Sequence, residues 1–146
     1  MSEVEASVAR VIEGYKAAVA ARDIDALMRL YDPAARVFDA WGAWSYEGSS
    51  AWQVAVEGWF ASHPTDRFKV SFEEVSAVTA PTFASVSAIV TYAVFSAQGE
   101  QLNSMQNRLT WALKTSGHVL RIVHEHTSAP IGFEDHKAIL QRPRKS

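Results

Sequence analysis

Apolar and polar positions recur along this chain at two periods, and the change of period divides it. Val4, Val8, Val11, Ile12, Tyr15 and Val19 fall at helical spacing, which predicts an amphipathic helix from about Glu3 to Ala21. Asp23 is placed to cap a second, short helix whose apolar positions are Ile24, Leu27, Met28, Leu30 and Tyr31, with Pro33 ending it. Ala35 to Asp39 reads as a strand, and Trp41-Gly42-Ala43-Trp44 turns the chain toward a short strand at Ser45 to Glu47. Ser50 and Gln53 have capping-box spacing and open a third helix that presents Trp52, Val56, Trp59 and Phe60 and stops before Pro64.

Beyond Pro64 the period falls to two. Phe68, Val70 and Phe72 alternate with polar residues, and Phe83 to Ser96 is a long run rich in β-branched side chains. Turns at Ala80-Pro81-Thr82, Ala97 to Glu100 and Thr115-Ser116-Gly117 separate this run from its neighbours, Gln101 to Lys114 and His118 to Ser128. Helices followed by long antiparallel strands make an α+β pattern. Strands of this length twist strongly, so the expected architecture is three N-terminal helices packed on a strongly curved, mostly antiparallel sheet that encloses a conical cavity. The tail after Pro130 reads as an irregular strap.

Composition narrows the function. The 146 residues are 48% apolar, with five Trp, seven Phe and four Tyr, and fit one domain with a large aromatic core or cavity. The net charge is −2 and the one basic block is Arg142-Pro143-Arg144-Lys145, which reads as a solvated tail, so nucleic-acid binding is not expected. With no Cys, disulfides, thiolate nucleophiles and Cys-based zinc sites are excluded. The acidic start lacks the apolar run of a signal peptide and no stretch reaches the length of a membrane span, so the expected compartment is the cytoplasm.

Two stretches resemble a known family. YKAAVAARDIDALMRLYDPAARVFDAWG resembles the opening of the SnoaL-like and ketosteroid-isomerase-like branches of the nuclear transport factor two superfamily: helix, Arg-Asp step, second helix, then a strand ending in Asp. NRLTW and VLRIVHEHTSAP resemble the SnoaL-like branch that also includes the association domain of calcium/calmodulin-dependent kinases. The resemblance covers about residues 5–130. It implies one SnoaL-like domain over 1–146, with a core at 5–130, a tail at 131–146 and a cystatin-like α+β cone. That fold hosts isomerases, hydratases, hydrolases, cyclases and oligomerisation modules. Carried over residue by residue, the ketosteroid isomerase pattern puts its helix-one tyrosine, an oxyanion donor, on Tyr15. It puts the strand-end aspartate base on Asp39 and the second oxyanion donor near Asn107, where an amide replaces that branch's protonated acid.

The residues themselves leave alternatives. Asp39 follows Val37-Phe38 and precedes an aromatic turn, so it is either a carboxylate with a raised pKa in apolar surroundings or a solvent-facing cap of the turn. Tyr15 is either a core tyrosine or a donor into the cavity. Asn107 and Arg108 point to opposite faces, so one of them lines the pocket, with Asn107 favoured; Arg108 there would clamp a carboxylate or enolate. His124 and His126 share a face, which strict alternation makes the face of Leu120 and Ile122. They are expected as a pocket wall, with His126 an auxiliary acid–base group, or as structural histidines. Two such ligands do not make a metal site, and no metal or organic cofactor is expected. Trp41, Trp59, Phe60, Tyr92 and Trp111 are candidates for the cavity lining, two or three of them reaching it.

The expected function is binding of a small, partly apolar molecule. Cofactor-independent isomerase, hydratase or cyclase chemistry would follow by proton abstraction beside a carbonyl, with Asp39 as base. The alternative is a non-catalytic dimerisation or assembly module. The apolar residues on both faces of Phe83 to Ser96 predict a homodimer through the convex sheet face in either case.

Overall fold

A computed structural model describes residues 2–143. Helix α1 spans Glu3–Ala21 and α2 Ile24–Met28; strand β1 spans Tyr31–Phe38 and β2 Tyr46–Glu47; helix α3 spans Ser49–Ala61. Four long strands follow: β3 (Arg67–Ala80), β4 (Phe83–Phe95), β5 (Gln101–Ser116) and β6 (Val119–Ser128). They form one curved sheet in the order β2-β1-β6-β5-β4-β3, antiparallel except for the β1–β6 pair. The α+β cone expected from the sequence is present.

Local chemistry explains most of the boundaries. Ser2 caps α1 by accepting from Glu5 N–H at 3.1 Å, and Asp23 caps α2 by accepting from Ala26 N–H at 3.0 Å. Between them Arg22 takes a left-handed backbone (φ 56°), which reverses the chain in one residue. Gly117, at φ 65°, serves the β5–β6 hairpin in the same way, where a side chain would be strained.

Two expectations about element ends need correction. The second helix stops at Met28 and Tyr31 already belongs to β1. The Leu30 carbonyl accepts from Ile122 N–H at 2.8 Å and Tyr31 pairs with Ile122, so parallel pairing to β6 outcompetes another helical turn. Pro33, lacking an N–H, falls in the register shift between Tyr31 and Arg36. The Ser50–Gln53 capping box does not form: α3 starts at Ser49 behind Gly48, and the Gln53 amide bonds Glu57 instead, at 2.8 Å.

The core lies on the concave side. Val8, Val11, Tyr15 and Val19 of α1 and Trp52, Val56 and Phe60 of α3 bury themselves against Val86, Val90, Leu109, Trp111 and Leu113 of the sheet. One irregularity in this sheet matters most for function. Ala112 pairs with His124 but Leu113 pairs with Ile122, so Val123 is an extra residue, a β-bulge. Before the bulge Leu120 and Ile122 face inward; after it Glu125 and Thr127 do.

The tail is a strap. Beyond the end of β6 it takes that strand's place beside β5, with Gln106 N–H donating to the Leu140 carbonyl at 2.7 Å. Gln141 bonds the Ser104 carbonyl at 2.6 Å, and Arg142 reaches Glu73 and Glu74 of β3 at 3.0 and 2.7 Å. Arg142 is therefore paired, not free in solvent; Arg144 and Lys145, the rest of the basic cluster, lie outside the described residues.

Candidate functional site

The helices do not fill the cone. A cavity of about 430 Å³ remains between α1, α3, the end of β1 and the concave face of β4–β6. Its walls are aromatic, with Tyr15, Tyr31, Tyr46, Trp52, Trp59 and Tyr92 all contributing. Trp41 stands at the lip, 54% exposed, and Leu140 of the strap contributes on another side. Gly42 shapes the lip as well. Its φ of +79° strains any other residue there, and the Tyr46 hydroxyl, 2.6 Å from where a Cβ would stand, would also have to shift.

Polar groups gather at two places on this wall. Glu125 is almost wholly buried, and its Oε1 accepts from the Tyr31 hydroxyl at 2.6 Å and from Trp111 Nε1 at 2.8 Å. Burial pushes its carboxyl up to about 7, against the pull of those two donors. Asp39, just past the end of β1, accepts from the Thr127 hydroxyl at 2.9 Å. Burial raises its pKa too, with the Thr127 bond and the Trp41 N–H holding back part of the rise. Asp39, directly after β1, and Glu125, on the neighbouring β6, both contribute to the cavity wall.

The hydroxyls of Tyr15 and Tyr92 lie 2.9 Å apart. Burial raises both above the ordinary tyrosine range, so both stay protonated. Whichever one donates to the other, the second proton is left for a ligand, and the bond it accepts makes it a better donor. Asn107 is also on the wall, its Oδ1 buried and without a partner among the described residues. As placed it offers an acceptor; a half-turn of the carboxamide presents its N–H₂ instead. No group of three or more His, Asp or Glu gathers within reach of a common metal ion among the described residues.

This architecture has relatives. The SnoaL-like domain profile matches residues 8–132, from the first helix through the last strand. The chain belongs to the SnoaL-like family. Similar solved structures include an NTF2-like protein of unknown function from Pseudomonas putida KT2440, 24% identical, covering 97% of this chain and 96% of that one, with a TM-score of 0.83. Aln2 from a Streptomyces species is 18% identical over 88% of this chain and 91% of its own, with a TM-score of 0.80. ActVI-ORFA from Streptomyces coelicolor is 8% identical over 87% and 97%, with a TM-score of 0.76. At these identities the likeness is one of fold. A comparison with curated proteins finds no match.

Within this SnoaL-like cone the residues singled out in the sequence divide into three groups. Tyr15, Asp39, Asn107, Trp41, Trp59 and Tyr92 stand on the cavity wall. Phe60 and Trp111 stand behind it: Phe60 is core against Trp59 and Phe68, and Trp111 backs the wall through its ring contact with Tyr15 at 5.6 Å and its bond to Glu125. Arg108, His124 and His126 are on the other face of the sheet. Arg108 Nε donates to Ser128 Oγ at 3.1 Å. His124 Nδ1 lies 2.8 Å from the Arg36 carbonyl, and both imidazoles meet the Phe38 ring edge to face at 5.1 and 5.6 Å.

The placement of the two histidines on the Leu120 and Ile122 face is thus corrected, and the Val123 bulge is the reason. It reverses the parity of everything after it, turning the histidines out and Glu125 in. The adjacent apolar pair Ile122-Val123 breaks the alternation there, but Val119-Leu120 does so without a bulge, so the pair alone does not mark it. His63, in the loop between α3 and β3, also stands on the wall.

Proposed function

We propose that this SnoaL-like protein binds a small, neutral, ring-containing molecule in the cone and acts on it by cofactor-independent proton transfer beside a carbonyl. The observation that carries this reading is Asp39: a half-buried carboxylate with a raised pKa, held by Thr127, on the wall of an aromatic cavity. A base is most useful when it titrates near the working pH, and burial moves Asp39 in that direction. The Tyr15–Tyr92 hydroxyl pair supplies a preorganised donor for the enolate oxygen that develops as the proton leaves, and Asn107 can supply another.

In this scheme the ligand's carbonyl oxygen accepts from the tyrosine pair, Asp39 takes the adjacent C–H proton, and the electron pair moves into the enolate. Return of the proton to a different atom gives isomerisation; attack of the enolate carbon on a second carbonyl gives ring closure. Glu125, with both donors on one oxygen, sets the polarity of the floor and holds Tyr31 and Trp111. His126, on the outer face, has no part in it.

The test uses 2-tetralone, a neutral bicyclic ketone with acidic protons beside the carbonyl. Wild-type protein in heavy water should exchange those protons for deuterium, and Asp39→Asn should slow the exchange by about 100-fold or more. Equal rates would exclude Asp39 as the base.

A second, compatible reading concerns the convex face. Phe38, His124 and His126 form an aromatic cluster there, with Arg36 lying over Phe38 at 4.4 Å. Such a patch on the outer face of a sheet suits pairing with a second copy of the chain. Sedimentation at micromolar concentration should give twice the 16.1 kDa chain mass, and Phe38→Asp should halve it.

A further inference from the structure

The loop between α3 and β3 brings a second pair of titratable groups to the cavity. His63 Nδ1 lies 3.0 Å from Asp66 Oδ2. An ionised carboxylate can only accept, so Nδ1 is the donor in this pair, and in the neutral ring the lone pair then lies on Nε2. Nε2 has no hydrogen-bond partner among the described residues, and His63 stands on the cavity wall. Its ring is fixed edge-on against Phe68 at 5.4 Å.

An i, i+3 His–Asp pair in a surface turn is ordinarily no more than a turn contact. This one is held from behind. The guanidinium of Arg22 donates to the carbonyls of Phe60, His63 and Asp66, the last at 3.0 Å, and lies over the Phe60 and Phe68 rings at 5.8 and 5.4 Å. One planar fork thus ties three carbonyls of the loop to the end of α1. Asp66 and Arg22 are the charged groups that contact the His63 segment.

We propose that His63 is a general acid–base group of the cavity, oriented by Asp66, and that its partner is the hydroxyl of a neutral phenolic or enolic ligand. Nε2 takes the proton of the ligand O–H, and the electron pair of that bond stays on the ligand oxygen. The imidazolium so formed rests against the Asp66 carboxylate. The reverse step returns the proton. This supplies what the rest of the described wall lacks: among the described residues no Lys or Arg lines the cavity, whereas Asp39 and Glu125 do, so the imidazolium adds a counter-charge to the neutral donors of the tyrosine pair. The inference rests on the cavity being a ligand site, but not on Asp39 being a base.

The test uses 4-nitrophenol, whose ionised form absorbs in the visible. Its ionisation on the protein is followed against pH for wild type, His63→Gln and Asp66→Asn. The bound probe should ionise about tenfold more readily on wild type than on His63→Gln, with Asp66→Asn between them. Equal ionisation on wild type and His63→Gln overturns the proposal, and so does failure of wild type to bind millimolar probe. Nitrogen-15 NMR of unliganded wild type is a check that needs no variant: the Nδ1–H tautomer of His63 is expected, and the Nε2–H tautomer overturns the proposal. If Asp39→Asn leaves the 2-tetralone exchange intact while the His63 effect persists, the base assignment fails alone.

Discussion

Tyr31 and Glu125 stand 94 positions apart in the chain and share a 2.6 Å hydrogen bond inside the cone. The bond joins the start of the first strand to the last one, and it stabilises an acid that burial would otherwise keep neutral still more strongly. With the carboxyl raised from 4.5 to about 7, the folded protein keeps this proton over a range in which the unfolded chain has released it. The stability contributed by this proton is complete below pH 4.5, declines as pH rises toward about 7, and is gone above it.

Glu125→Gln carries no such proton. Its melting temperature relative to wild type should therefore improve as pH rises from 4.5 to 7. Asp39 pushes in the same direction but is present in both proteins, so the comparison isolates Glu125. Thermal melts at the two ends of that range decide it; a difference independent of pH would mean that Glu125 titrates as an ordinary carboxylate.

Thr127 links the two strands at the cavity end, donating to Asp39 and accepting from Ala40 N–H, both at 2.9 Å. Thr127→Val removes the hydroxyl bond that lowers the Asp39 pKa. The Asp39 midpoint, read by carbon-detected NMR, should move further up, and the protein should lose about 1 to 3 kcal/mol of stability. An unchanged or lower midpoint would contradict the role given to Thr127.

Much of this was legible in the chain. The 3.6 period of Val8, Val11, Tyr15 and Val19 and the alternation of Phe68, Val70 and Phe72 report burial on one face, which is what forms helices and strands here. Asp39 and Tyr15 could be placed because both stand at element positions that the family pattern marks. What could not be read is long-range. Glu125 sits between two histidines and looks solvent-facing until the Val123 bulge is known, and a bulge is set by the partner strand. Tyr31 reads as helical because its pairing with Ile122 lies 91 positions ahead, and His63 reads as a turn residue because Arg22, which holds its loop, is 41 positions behind.

Charge should select the ligand. Among the described residues two carboxyl groups and no Lys or Arg line the cavity, so an anion without a proton to give meets repulsion and desolvation that neutral donors alone must offset. Neutral 2-acetylnaphthalene should bind at least about tenfold more tightly than 2-naphthoate, or roughly 1.4 kcal/mol. Quenching of Trp41 and Trp59 fluorescence reports both. Tighter binding of the carboxylate would mean that a cation reaches the site.

The outward histidines should behave unequally. His126 is exposed, and His126→Ala should change stability by no more than about 0.5 kcal/mol and leave cavity binding unaltered. His124→Ala loses the bond to the Arg36 carbonyl and an edge contact with Phe38, a cost of about 1 kcal/mol. Chemical denaturation measures both, and a loss of ligand affinity in either variant would argue against their place on the outer face.

The central claim, that Asp39 is a base in a ligand cavity, is tested most directly by the rate of deuterium uptake into 2-tetralone measured against pH. The wild-type rate should rise through the midpoint at which NMR sees Asp39 itself titrate, above the ordinary 3.8, and then level off. Asp39→Asn should lie on the uncatalysed rate throughout. A wild-type profile that ignores the Asp39 midpoint, or an Asp39→Asn protein that keeps the wild-type rate, would contradict it.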